Sequence, residues 1–348
     1  MGKAVSTDLS EWVEKDWVEL LAYLQKFISH QKPSRQKALE EMFKAVLKLA
    51  HESPGTLNLK IASTVLRELR YSFKMFYPHR MKPKITIFGS ARVAPNTKLY
   101  RFTKDFAQEA ISRNFQIITG GGPGIMAAGN EGAGKDGFGL NIRLPMEQSA
   151  NPFIDPENRL IHYKYFFTRK LFLVKEACAF AFFPGGFGTF DEAFEVLTLL
   201  QTGKSSLFPI LLVEPAKFGF WTRFMKFFDD VIVEQGFVSA SDRSLFAIFH
   251  TAKEAMDHIQ LFYNNYHSMR YVGEILVVRI QRPLPEKMLK DLSRKFKKLT
   301  GGKPIQQHGP LEEEKNEPEF GHLMRLTFPF IKNDYGTLRL LVDEINRV

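Results

Sequence analysis

Two stretches of this chain run from an apolar segment straight into a dense cluster of glycines and then into helical sequence: FQIITGGGPGIMAAGNEGAGKDG and CAFAFFPGGFGTFDEAFEV. Few folds permit that arrangement. A short apolar run bounded by glycine reads as a strand buried on both faces, and the helix that follows carries the chain back across the sheet. From Lys84 onward strand, loop and helix alternate in this way. KITIFGS, FQIITGGG, GFGLNIRLP, CAFAFFPGG and FPILLVEP are predicted strands; TKLYRFTKDFAQEAISR, a segment from Phe190 and another around Trp221 to Val233 are predicted helices. The expected fold class is α/β, a parallel sheet with helices on both faces. Both glycine loops then lie at the carboxyl edge of the sheet, where such folds bind ligands.

The flanks read differently. In SRQKALEEMFKAVLKLAHE, residues Leu39, Met42, Phe43, Val46 and Leu47 follow one helical face and predict a buried stripe, with Ser34 as the N-cap. DLSEWVEKDWVELLAYLQKFI and NLKIASTVLRELRYSFKMF are helical in the same way, and Pro78 and Pro83 end the run. Residues 1–80 are therefore expected to be a helical N-terminal extension and 81–268 the α/β domain. Residues 269–348 are expected to be a small α+β unit for interaction or oligomerisation. Within it GEILVVRIQ, PEKMLKDLSRKFKKL, KPIQQ, HLMRLTFPFI and YGTLRLLVDEINRV read strand, helix, strand, strand, helix, with acidic GPLEEEKNEPEF as an exposed connection. No glycine loop or acid–base cluster is visible there.

Composition narrows the classes. The 348 residues are 44% hydrophobic and 25% charged, as in soluble globular proteins. No run approaches the roughly 18 apolar residues of a membrane span, and MGKAVSTDLSEW lacks the apolar core of a secretory signal, so the expected location is the cytoplasm, with no membrane partner. MGKAVS matches a myristoylation pattern, with Ser6 in place, but so short a pattern recurs by chance. The net charge of +10 suits anionic partners. Its basic residues concentrate only in RELRYSFKMFYPHRMKPK and LSRKFKKL, which read as solvated helix faces, so nucleic acid is not expected. The single cysteine, Cys178, sits in ACAFAFF and is expected to be an inert buried thiol. Nine histidines show no metal-binding spacing.

The glycine loops carry the candidate chemistry. Gly120, Gly121, Gly122 and Gly124 precede a predicted helix, so backbone N–H groups can approach an anion without Cβ atoms in the way. No acidic residue follows about 20 positions on to hold a ribose, which argues against NAD, and Asp136 stands where a Walker loop needs Ser or Thr. The competing reading is a tight turn and nothing more. In the second loop, Pro184, Gly185, Gly186 and Gly188 lead to Thr189, which is placed to cap a helix starting at Phe190. Glu192 follows Thr189 by three residues, so a capping box is the competing reading of that carboxylate. In TRKLF, Arg169 and Lys170 sit near a helix start, where cations are disfavoured; pairing with a phosphate or with Glu192 would account for them.

ITIFGSAR, ITGGGPGIM, GLNIRLP, YFFTRK and PGGFGTFDE occur in this order over roughly residues 84–265. Together they resemble the LOG family, the cytokinin riboside 5'-monophosphate phosphoribohydrolases long labelled lysine decarboxylases. The resemblance implies a Rossmann-like nucleotide-binding catalytic domain, usually dimeric, that hydrolyses a nucleoside 5'-monophosphate such as AMP to free base and ribose 5-phosphate, with no cofactor. It implies that Arg169 and Glu192 are catalytic. Thr189 and the glycines of both loops would hold the phosphate, with Ser90, Met126 and Lys170 also at the substrate. The alternative is a carrier or sensor that binds a nucleotide or cofactor without turnover, as in related molybdenum-cofactor carriers. A homodimer is expected through EAFEVLTLLQ, where Phe194, Leu197, Leu200 and Gln201 extend an apolar face.

Overall fold

The computed structural model describes residues 14–52, 55–143, 149–331 and 334–348. The Met1–Ser6 pattern, the head of the first helical stretch from Asp8 to Val13, and Leu144 and Pro145 of GLNIRLP lie outside them. The chain divides into two compact units, Met1–Arg70 and Tyr71–Val348. No helix among the described residues is long and apolar enough to cross a membrane.

The first unit contains α1 (Glu14–Ser29), α2 (Pro33–His51) and most of α3 (Thr56–Phe76). Helix α2 begins at Pro33 after Lys32, not after Ser34 as a cap. Proline at the first helical position loses no hydrogen bond there and its fixed φ suits the helix, so the start moves to it. The expected buried stripe is only partly buried: Leu39, Phe43 and Leu47 are half-buried, while Met42 and Val46 are exposed. A unit this small has little interior to offer.

The second unit is built on seven parallel strands: β1 (Lys84–Phe88), β2 (Gln116–Thr119), β3 (Gly137–Ile142), β4 (Leu160–Tyr163), β5 (Ala179–Phe182), β6 (Ile210–Val213) and β7 (Phe246–Phe249). Their order across the sheet is β4-β3-β2-β1-β5-β6-β7. Helices α4 (Lys98–Ser112), α5 (Ile125–Ala133), α6 (Phe166–Lys175), α7 (Phe187–Gln201), α8 (Phe220–Phe227) and α9 (Ala252–Phe262) flank it. Strand periodicity sorts the layers. Ile85 and Ile87 join Phe106, Ile117, Ile125 and Ile259 in one core, under α4, α5 and α9. Thr86, between them, faces the other way and donates its hydroxyl to the Leu173 carbonyl of α6 at 2.7 Å. The Rossmann-like expectation holds. Strands β4 and β7 were not foreseen.

An antiparallel sheet of order β10-β11-β9-β8 follows, from β8 (Tyr266–Val272), β9 (Ile275–Ile280), β10 (Gln306–His308) and β11 (Met324–Pro329), with α10 (Glu286–Lys295) and α11 (Tyr335–Ile345). The acidic connection is not wholly exposed. Glu314 is buried and accepts Arg279 Nε at 2.9 Å and Arg325 Nε at 2.8 Å. Contrary to expectation this region does hold a charged cluster, because two arginines on neighbouring strands need one shared carboxylate between them.

Candidate active site

From β1 the chain steps outward through β2, β3 and β4, then returns to place β5 on the other side of β1. The loops leaving β1 and β5 therefore diverge, which opens a crevice at their carboxyl ends. Main-chain bonds knit three loops around it: Ser90 N–H donates to the Pro184 carbonyl at 3.1 Å, and Ile125 N–H to the Ser90 carbonyl at 3.0 Å. Ser90 is thus the junction of all three.

The resulting cleft, about 600 Å³, is lined by Ser90, Gly120, Met126, Arg169, Gly186, Gly188, Thr189 and Glu192 from the expected set. Gly121, Gly122, Gly124, Gly185 and Lys170 do not line it. For most of these glycines the tight-turn reading suffices. A Cβ on Gly124 would stand 2.3 Å from the Ser90 carbonyl oxygen, and one on Gly185 2.1 Å from Thr189 Oγ1. Gly121 has φ +71° and gives its N–H to Thr119 Oγ1 at 3.0 Å. Gly186 and Gly188 differ, since a Cβ on either would meet nothing within 4 Å. Their bare backbone borders open cleft. The sequence reading passed over Arg92, Phe166, Phe187 and Asp191, which also line the cleft. Arg92 was within reach, two positions after Ser90 in FGSAR.

Helix α7 begins earlier than expected, and this settles how Glu192 is used locally. Its N-cap is Gly186, with no side-chain cap. Thr189 and Phe190 both donate N–H to the Gly186 carbonyl, at 3.0 and 3.1 Å. The first turn closes on glycine, so Thr189 is inside the helix and the Thr189–Glu192 capping box does not form. Instead Glu192 is buried against the cleft, and its Oε2 has no hydrogen-bond partner among the described residues. Burial pushes its carboxyl up to about 7, against the pull of Lys170 and Arg169 and with help from Glu195 and Asp191.

Arg169, in the first turns of α6, donates Nε–H to the Leu140 carbonyl in β3, at 2.7 Å. Burial draws its pKa down, and the charges of Glu192 and Tyr163 oppose this. A guanidinium keeps its proton regardless. Lys170 turns away to carboxylates of α7: 2.8 Å to Asp191, 2.5 Å to Glu195 and 3.5 Å to Glu192. The half-buried Cys178 gives its thiol to the Lys84 carbonyl at 3.3 Å, and burial raises it to about 11. It stays a thiol.

Residues 124–259 match a family model described as possible lysine decarboxylase. The cytokinin riboside 5'-monophosphate phosphoribohydrolase LOG3 of Arabidopsis thaliana is 26% identical over 181 residues, 51% of this chain and 81% of that protein. The probable phosphoribohydrolase LOGL3 of Oryza sativa subsp. japonica is 29% identical over 186 residues, 52% and 84% of the two chains. The Rossmann-like domain is thus similar in sequence to these two phosphoribohydrolases. Among solved structures, TM1055 aligns over 51% of this chain and 98% of its own, with 20% identity and a TM-score of 0.38. A molybdenum cofactor binding protein from Rippkaea orientalis aligns over 51% and 96%, with 17% identity and a TM-score of 0.38. The family-model match covers the TRK and PGGFGT segments, and it starts at Gly124, at the end of the first glycine loop.

Proposed function

We propose that this chain hydrolyses the N-glycosidic bond of a nucleoside 5'-monophosphate, of the AMP or cytokinin riboside monophosphate type, to free base and ribose 5-phosphate. One observation carries the reading: a buried carboxyl, Glu192, with an oxygen that accepts no hydrogen bond, lines a cleft at the switch point of the sheet, and its burial pushes the carboxyl up to about 7. Its LOG-like relatives bear the name of this reaction.

The substrate phosphate sits at the start of α7, where the Phe187 and Gly188 N–H groups precede the first helical hydrogen bond and Gly186 and Gly188 add no side chain. Arg169 adds fixed positive charge at the same cleft. Anchored there, the sugar carbon bearing the base lies against Glu192. As the C1'–N bond breaks, its electron pair leaves with the base and positive charge develops on C1'. The Glu192 carboxylate stabilises that charge and accepts a proton from the attacking water, whose oxygen forms the new bond to C1'. The departing base takes up a proton from solvent and Glu192 afterwards returns the water's proton to solvent, so atoms and charge balance. Incubation with AMP and other 5'-monophosphates, with chromatography of released base, tests this. Base is released from the monophosphates and far more slowly from the nucleosides that lack the phosphate; no release from any monophosphate refutes the proposal.

A further inference from the structure

Lys170 follows Arg169 on α6 but faces three carboxylates of α7 instead of the cleft. They do not share it equally. Asp191 and Glu195 hold its ammonium at 2.8 and 2.5 Å, whereas Glu192 Oε2 is 3.5 Å away and accepts no hydrogen bond. The side chains of Asp191 and Glu195 are 62% and 36% exposed, against 7% for Glu192. Stability alone would favour the opposite pairing, because a buried carboxylate gains most from a cation and a solvated one least.

We propose that Lys170 is a positioning residue, its ammonium drawn by Asp191 and Glu195 out of hydrogen bonding with Glu192, 3.5 Å away, so that the buried carboxyl remains free to exchange a proton with the reacting groups. This rests on the hydrolase reading of Glu192. The charged groups around that carboxyl are Arg169 and Lys170 from α6 and Asp191 and Glu195 from α7, with Arg92 lining the cleft from the loop after β1. Neutralising Asp191 and Glu195 removes two negative neighbours and releases the lysine toward Glu192; both effects favour the ionised form. Removing the lysine charge disfavours it.

The test compares wild type, the Asp191→Asn/Glu195→Gln double variant and Lys170→Met. It measures the pH dependence of kcat/KM on AMP and, independently of turnover, the carbon-13 NMR titration of the Glu192 carboxyl. Relative to wild type, the acid-side limb and the NMR midpoint move down by about one pH unit or more in the double variant and move up in Lys170→Met. An NMR midpoint unchanged in the double variant, with thermal unfolding showing that it folds, overturns the proposal. If the wild type releases no base while the midpoint still moves as stated, the assignment of Lys170 stands and the hydrolase reading falls.

Discussion

Gly120 and Arg169 compete for one volume: a Cβ on the glycine would lie 2.2 Å from the Arg169 Nη2 atom. The next obstacle is the Met126 sulfur at 2.7 Å. Both are ends of flexible side chains, so Gly120→Ala is expected to fold with a cost within about 1–3 kcal/mol. It displaces the guanidinium from the cleft, and misplacement of this order lowers turnover by about 100-fold. Kinetics on AMP, paired with urea unfolding, check the separation of the two effects.

Glu192 also makes stability depend on pH. Its carboxyl is raised from 4.5 to about 7 in the folded chain. The folded state therefore holds the proton more tightly than the unfolded state. The associated stability is fully present below pH 4.5 and is lost as pH rises through about 7. Glu192→Gln avoids that loss. Urea unfolding is expected to show the variant more stable than wild type at pH 8, by up to about 3 kcal/mol, with the gain vanishing at pH 4.

The charged cluster of the C-terminal sheet behaves in the opposite sense. Burial alone would raise Glu314, but Arg325, the Leu311 N–H and Arg279 outweigh it and hold the carboxyl down to about 2. Glu314→Ala leaves two buried guanidinium groups without their shared partner and is expected to cost about 3–5 kcal/mol in thermal or urea unfolding. In wild type the contribution is present above pH 4.5 and fades only as pH falls through about 2.

The face expected to form a dimer needs one correction. Leu200 is fully buried within its own chain and cannot extend an outer surface. Phe194 remains exposed on α7, as do Phe187 at its start and Phe166, Phe167 and Leu171 on α6. Exposed aromatic side chains of this number on two adjoining helices suit a self-complementary interface. Sedimentation at micromolar concentration is expected to give a dimer that Phe194→Asp weakens.

What the sequence disclosed, and what it hid, follows from range. Strands such as β5, read from AFAF, were legible because burial on both faces leaves a continuous apolar run. LIHY in β4 and YHSMRYV in β8 mix polar residues into short strands and leave no such run. Arg169 and Glu192 could be singled out by residue type and by the motifs around them. The helix start could not, since Thr189 and Glu192 have capping-box spacing while Gly186 supplies the observed cap. Pairings across elements were invisible for the same reason: Lys170 meets Glu195 25 positions away, and Arg279 meets Glu314 35 away. No local pattern encodes either.

The most direct measurement is the rate at which the Glu192→Gln variant, shown to be folded, releases base from AMP beside wild type. Loss of the carboxylate should lower kcat by about 100-fold or more while AMP still binds. Release at the wild-type rate would contradict the account.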